Sequence, residues 1–256
     1  MEEEGFIYQY TSIDTLALIL ENKTIRLNSL KNVDDLEEQE SDEVTTLGKF
    51  TFVSCWTKDS DENIALWNMY TPNMRGVRIK LPADCLDFNM ANINMALNEN
   101  KLRVVAVNGD GYRNSAYKYT KVDYCKWHPK DVTMEYEDRL ILFPFSLGKF
   151  KKDNWKFQDE WRFLVYTFPK DMLMECKIKN KKEYFERLER FNDIPEGIFV
   201  PIKDNKIEEM EILMGPLTTN GDEIIVKSLV KQYLHKEAIS PTFARSDFKG
   251  KIKSRW

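Results

Sequence analysis

Short stretches of strand-like alternation outnumber the helical stretches that separate them in this chain, and that imbalance limits the fold more than any other feature. Tyr8–Thr11, Phe50–Trp56, Gly76–Leu81, Lys101–Val107, Glu160–Tyr166, Gly197–Ile202 and Glu209–Met214 each read as a strand. Helical spacing is confined to five places. Leu16, Ile19 and Leu20 follow Ser12 as an N-cap and close at Asn22, and Ile64, Trp67 and Tyr70 follow Ser60 or Asp61. Asp131–Leu147 reads as a helix capped by Asp131, with Met134, Tyr136, Leu140, Ile141 and Phe143 as its apolar side. A charged helix is expected around Asn180–Phe191 and an amphipathic one over Asp222–His235. A doubly wound sheet needs a helix between successive parallel strands. The sequence therefore predicts an α+β fold with mixed or antiparallel sheets and flanking helices. No repeat, Pro-rich linker or low-complexity segment divides the chain, so residues 1–256 are expected to form a single domain.

Composition narrows the class. With 256 residues, 42% hydrophobic and 12% aromatic, the chain has enough apolar surface for a core. It contains no run of about 18 apolar residues, so no membrane partner is expected. Met1-Glu2-Glu3-Glu4 has neither the basic nor the apolar region of a secretory signal, which points to a cytoplasmic location. Cys55, Cys85, Cys125 and Cys176 are widely spaced and read as free thiols. A net charge of −4 gives no overall attraction to nucleic acid, leaving Lys249, Lys251, Lys253 and Arg255 as either a local basic patch or a solvated tail. Asp34–Glu43 carries seven carboxylates in ten positions without the spacing of a calcium loop, and is expected to be a mobile charged loop.

Several chemistries lack their signatures. His128 and His235 are the only histidines, and neither HExxH nor paired CxxC occurs, so no metal cofactor is expected. Cys125-x-x-His128, followed by Pro129, reads as a turn. A Cys–His nucleophile has no flanking motif to support it. Gly109-Asp110-Gly111 also reads as a turn, and without GxGxxG or GxxxxGK[ST] a Rossmann enzyme, a kinase and a P-loop NTPase are disfavoured.

The chemistry-bearing residues gather in four segments. Strand alternation over Trp155–Phe163 aligns Gln158, Glu160 and Arg162 on one face. A carboxylate beside a guanidinium stays ionised, as needed to bind sugar hydroxyls or stabilise a cationic transition state. The same residues also suit a structural ion pair at a sheet edge. Tyr8, Gln9, Tyr10 and Thr11, and Phe52–Trp56 with Ser54 and Trp56, mix aromatic rings with hydrogen-bonding groups, as a planar polyhydroxylated ligand requires. In Asn63–Tyr70, Trp67 fits either a ligand wall or ordinary core.

Taken in order, Tyr8-Gln9-Tyr10-Thr11-Ser12, Phe52-Val53-Ser54-Cys55-Trp56, Trp67-Asn68-Met69-Tyr70, Gly76-Val77-Arg78-Ile79, Asp159-Glu160-Trp161-Arg162 and Ile212-Leu213-Met214-Gly215-Pro216 resemble the bacterial family called domain of unknown function 2971 (DUF2971). The likeness runs over nearly the whole chain, with Gln9 standing where that family usually has a basic residue. A looser resemblance is to the ADP-ribosyltransferase fold, including its DNA-modifying toxin branch. There Gln158-Asp159-Glu160 looks like the Gln-x-Glu motif of the catalytic strand, although the Arg or His expected on the first strand is absent. That resemblance implies NAD as a substrate, Glu160 as the catalytic residue oriented by Arg162, and Tyr8–Thr11, Ser54, Trp56, Trp67, Arg78 and Gln158 as the NAD-binding set. It further implies a bacterial toxin or phage-defence effector with a protein or nucleic-acid acceptor. The alternatives are a non-enzymatic module that stacks a nucleotide or nucleic-acid end on Trp56 and Trp67 with help from the Lys249–Arg255 tail, and an interaction component of a defence operon.

Overall fold

The computed structural model describes residues 5–39, 46–105, 107–108, 114–115, 117–126, 132–236 and 242–253. Among them the alternating segments assemble into one large mixed sheet of ten strands. In chain order these are β1 (Phe6–Thr11), β2 (Thr24–Ser29), β3 (Thr51–Thr57), β4 (Val77–Pro82), β5 (Leu102–Val104), β6 (Lys118–Lys121), β7 (Glu160–Pro169), β8 (Gly197–Pro201), β9 (Glu211–Met214) and β10 (Phe243–Arg245). The helices are α1 (Ile13–Asn22), α2 (Ile64–Tyr70), α3 (Met90–Ala96), α4 (Lys181–Arg190), the single turn α5 (Asp204–Ile207) and α6 (Asn220–Leu229). The α+β fold read from the sequence is the fold observed. No helix among the described residues is long and apolar enough to cross a membrane.

The centre of the sheet is β3. One of its edges is paired along its whole length with β7, from Thr51 opposite Tyr166 to Thr57 opposite Glu160. The other edge is shared by two strands. At the start of β3, Phe52 and Val53 pair with Ser29 and Asn28 of β2, whereas at its end only Thr57 pairs, with Tyr8 of β1. Between these contacts β1 and β2 diverge, β1 turning to β4 and β2 to β8. The sheet is therefore forked beside Ser54–Trp56. Helix α1 joins the two arms. It is capped as its sequence demands, Ser12 Oγ accepting from Thr15 N, and ends where Lys23 takes a left-handed conformation.

Residues paired across a sheet share a face, so these registers sort the side chains. Ile7, Leu27, Phe52, Ile79, Leu81, Phe163 and Val165 fall on one face and enter a continuous apolar core that also takes Leu16, Ile19 and Leu20 of α1 and Val226 of α6. Tyr8, Tyr10, Asn28, Val53, Cys55, Thr57, Glu160 and Arg162 fall on the other.

Four expectations need correction. The helix predicted over Asp131–Leu147 is a hairpin, Thr133–Tyr136 paired with Arg139–Leu142, whose turn places Glu137 at a φ of 54°. Asp131 itself lies outside the described residues. Helix α2 is capped by Asn63, which accepts from Ala65 N and Leu66 N, and not by Ser60 or Asp61. Gln158 is not on the strand that carries Glu160 and Arg162: it ends a 3-10 turn, Asp153–Gln158, closed by a left-handed Asp159, and β7 starts at Glu160. Finally, the acidic stretch is not simply a mobile loop. Leu36–Gln39 forms a 3-10 turn that buries Glu38, while residues 40–43 lie outside the described set, as do Gly109–Gly111 and His128.

Candidate functional site

The fork creates a cavity of about 210 Å³. Its walls come from the diverging arms, Tyr8, Gln9 and Tyr10 on one side and Arg26 and Asn28 on the other. The uncovered stretch of β3 forms its base, and Glu160 and Arg162 of β7 reach it from beyond that strand. Tyr70 of α2, Gln158, Lys151 and the segment Asn32–Asp34 complete it. The unpaired edge of β3 is partly satisfied by a side chain: Gln9 Nε2 donates to Cys55 O at 3.0 Å. A side chain replacing a strand partner keeps the gap open without leaving a buried carbonyl bare.

Beneath the base lies a closed cluster of two buried cations and two buried anions. Arg162 is fully buried and uses all five of its N–H donors. Nε donates to Glu160 Oε1 at 2.8 Å, and Nη2 donates to Glu160 Oε2 at 3.0 Å and Glu38 Oε1 at 3.1 Å. Nη1 donates to Glu38 Oε2 and to Gly148 O. Lys151 Nζ bridges the two carboxylates, 3.3 Å from Glu160 and 3.3 Å from Glu38. Burial alone would push the Glu160 carboxyl up, but Arg162 and Lys151 outweigh it and hold the group at about 2. Burial, reinforced by Glu160, pushes the Cys55 thiol well up. Cys55 is thus a protonated neighbour of the carboxylate, which disfavours it as a thiolate nucleophile.

A second network rims the cavity. Gln158 Nε2 donates to Tyr70 Oη at 2.7 Å, and Tyr70 Oη donates to Asp34 Oδ2 at 2.9 Å. Burial, then the Glu160 and Asp34 carboxylates, pushes the Tyr70 phenol up, so it stays a donor. Tyr10 Oη accepts from Asn63 N at 2.9 Å, and its ring meets that of Trp67 edge-on at 4.7 Å. Trp67 Nε1 in turn donates to Glu62 Oε2.

The residues singled out from the sequence separate accordingly. Tyr8, Gln9, Tyr10, Gln158, Glu160 and Arg162 converge on the one cavity. Ser54 and Trp56 reach it only along the fork. The strand period sends their side chains to the core face, where Trp56 Nε1 donates to Ser54 Oγ at 2.9 Å. Thr11 is buried opposite Val77 and does not line the cavity. Trp67 is wholly buried behind Tyr10. Arg78 lies over the Tyr8 ring at 4.7 Å and donates to the carbonyls of Ser60 and Asp61, bracing the wall from outside. With Trp56 2% and Trp67 0% exposed, neither indole is free to stack on a base.

No family model, curated protein or solved structure matches this chain.

The chemistry of the site is therefore read from its own geometry. Sequence reasoning missed Glu38, Lys151, Arg26, Asn28 and Asp34. A strand pattern over Thr24–Ser29, where Ile25 and Leu27 alternate with Arg26 and Asn28, marks the β2 wall. Glu38 had no such signal, since in a run of carboxylates the buried one looks like its neighbours. Among the described residues no three His, Cys, Asp or Glu side chains are placed to hold a metal ion. What the cavity offers is tyrosine rings for a planar group, a fixed anion at its base, the Arg26 guanidinium at one wall, which also donates to Glu196 Oε2 at 3.3 Å, and amide and phenol groups for hydrogen bonds.

Proposed function

We propose that the chain is an NAD-consuming enzyme of the ADP-ribosyltransferase type, with the nicotinamide ribose in the fork and Glu160 as the catalytic carboxylate. The observation that carries this reading is convergence: Tyr8–Tyr10, β3 and Glu160, far apart in sequence, line one cavity with the carboxylate held ionised at about 2. Cleavage of the bond between ribose C1′ and the nicotinamide nitrogen sends its electron pair to nicotinamide and leaves an oxocarbenium-like sugar. A fixed anion stabilises that cation. A nucleophile on a protein, nucleic acid or water then bonds to C1′ and releases its proton. Arg162 is a positioning residue, because all its donors are engaged by Glu160, Glu38 and the Gly148 carbonyl. Loss of NAD or modification of an essential acceptor would stop growth, which suits a bacterial toxin or phage-defence effector.

The test is nicotinamide release from NAD by the full chain, with and without protein and nucleic-acid acceptors. Glu160→Gln is expected to lower the rate at least about 100-fold. This variant also leaves Lys151 and Arg162 with one uncompensated positive charge, so its folding is checked by circular dichroism. Tyr8→Ala, outside the cluster, is expected to weaken NAD binding in a chain that melts as a folded protein. Absence of both NAD binding and nicotinamide release in the wild type overturns the proposal. A second reading, nucleotide binding without turnover, is favoured by one observation: Glu160 is already engaged by Arg162 and Lys151. NAD bound with no nicotinamide released selects that reading.

A further inference from the structure

The fork cavity, at about 210 Å³, is smaller than the roughly 300–1,000 Å³ of sites that enclose a drug-sized ligand, so a dinucleotide held there by one end extends beyond it. Two surfaces lead away from it on the same face of the sheet, one along each arm. On the β1 side the cations are taken. Arg78 donates to the carbonyls of Ser60 and Asp61, and Lys80 lies over the Phe6 ring at 4.1 Å and pairs with Glu211 at 2.9 Å. The β2 side is open. There Arg26 stands opposite Phe199 of β8, so both side chains project from the face that carries Asn28 and the cavity. Phe199 is 62% exposed, and among the described residues no ring or cation covers it. Gly197, opposite Asn28, leaves room for Arg26 to lean across β8, since an added Cβ would stand 2.6 Å from Arg26 Nε. Arg26 uses one of its five donors on Glu196, whose side chain is 91% exposed. An exposed pair of this kind contributes little and yields to a phosphate, which a guanidinium binds through two donors at once.

We propose that the β2–β8 surface is the subsite for the second half of a dinucleotide, its phosphates meeting Arg26 and its adenine stacking on Phe199. The proposal rests on the NAD reading of the fork and assigns the end of the ligand that this reading leaves unplaced. Paired residues of neighbouring strands stand about 5 Å apart, so a ligand that leaves the fork over Arg26 reaches the Phe199 ring one strand further on. A base offers a π face to such a ring and needs no hydrogen-bond partner to bind it, which suits an exposed outer strand with one large aromatic side chain.

Titration calorimetry on the full chain with NAD, nicotinamide mononucleotide and ADP tests the assignment. Phe199→Ala is expected to weaken NAD and ADP about fivefold or more while nicotinamide mononucleotide, which has no adenine, stays within about twofold of wild type. Phe199→Tyr, which keeps a ring for stacking, is expected to restore NAD binding. Arg26→Gln is expected to weaken all three, because each carries a phosphate. Both positions are on the surface, and unchanged melting temperatures show that the variants fold. An unchanged NAD affinity in either Phe199→Ala or Arg26→Gln, or an equal loss of NAD and nicotinamide mononucleotide in Phe199→Ala, overturns the inference and leaves the NAD proposal standing. Binding of none of the three probes overturns both. Binding of ADP that depends on Phe199, with neither NAD nor the mononucleotide bound, supports the subsite and overturns the NAD proposal alone.

Discussion

At the scale of single residues, the cluster of Glu38, Lys151, Glu160 and Arg162 decides most. Its charges cancel, so deleting one leaves another buried and unpaired, which costs more than the intact pair contributes. Arg162→Met is expected to destabilise the fold by about 3–5 kcal/mol, read from the midpoint of urea unfolding. The carboxyl of Glu160 has a lower pKa folded than unfolded, so it contributes stability above its ordinary value near 4.5. That contribution is lost as pH falls toward 2, and acid unfolding of wild type should steepen between about pH 4.5 and 2 relative to Glu160→Gln. Cys55, raised by burial and by Glu160, should resist iodoacetamide at pH 8 in the native chain and react once urea unfolds it. Half of this cluster was legible in the sequence. Glu160 and Arg162 declare themselves by strand alternation within one segment. Glu38 lies 124 positions from Arg162 among carboxylates that look solvated, and only the packing of its 3-10 turn selects it.

At the scale of elements, the strands and helices with a clear period appear where they were read, and the failures have local causes. Ser12 caps α1, and Val77, Ile79 and Leu81 of β4 point inward. The hairpin of residues 133–142 was misread because its turn, Glu137-Asp138, has no glycine or asparagine to announce it, and its apolar residues fit both periods. Two substitutions test how elements set the cavity. Asn63 caps α2, the helix that carries Tyr70, so Asn63→Ala should cost about 1 kcal/mol and weaken any ligand that touches Tyr70. Gly76 precedes β4, where an added Cβ would stand 2.2 Å from Thr11 O. Gly76→Ala should cost about 1–3 kcal/mol by forcing β1 and β4 apart, seen as a lowered melting temperature.

For the whole molecule, the far end of the chain braces the site near its beginning. Lys249, the first cation of the basic segment, is tied down: its Nζ donates to Thr218 O, and just before it Asp247 N donates to Glu62 Oε1 at 2.6 Å. Because Glu62 also holds Trp67, and Trp67 supports Tyr10, the C-terminal segment reaches the cavity wall through three contacts. Just before it, β10 pairs with β9, and Arg245 makes two hydrogen bonds to the buried Glu223. The mixed sheet was legible as a class; its fork was not, because a strand's partners on each edge depend on residues far away in the chain.

That fork gives α1 a meaning beyond its own packing. The helix is the direct link between the two arms, ten residues between the open end of β1 and the open end of β2. Its length works as a spacer, so adding or removing a helical turn there resets the aperture and also shifts Leu16, Ile19 and Leu20 within the apolar core, while the charged floor keeps its own residues.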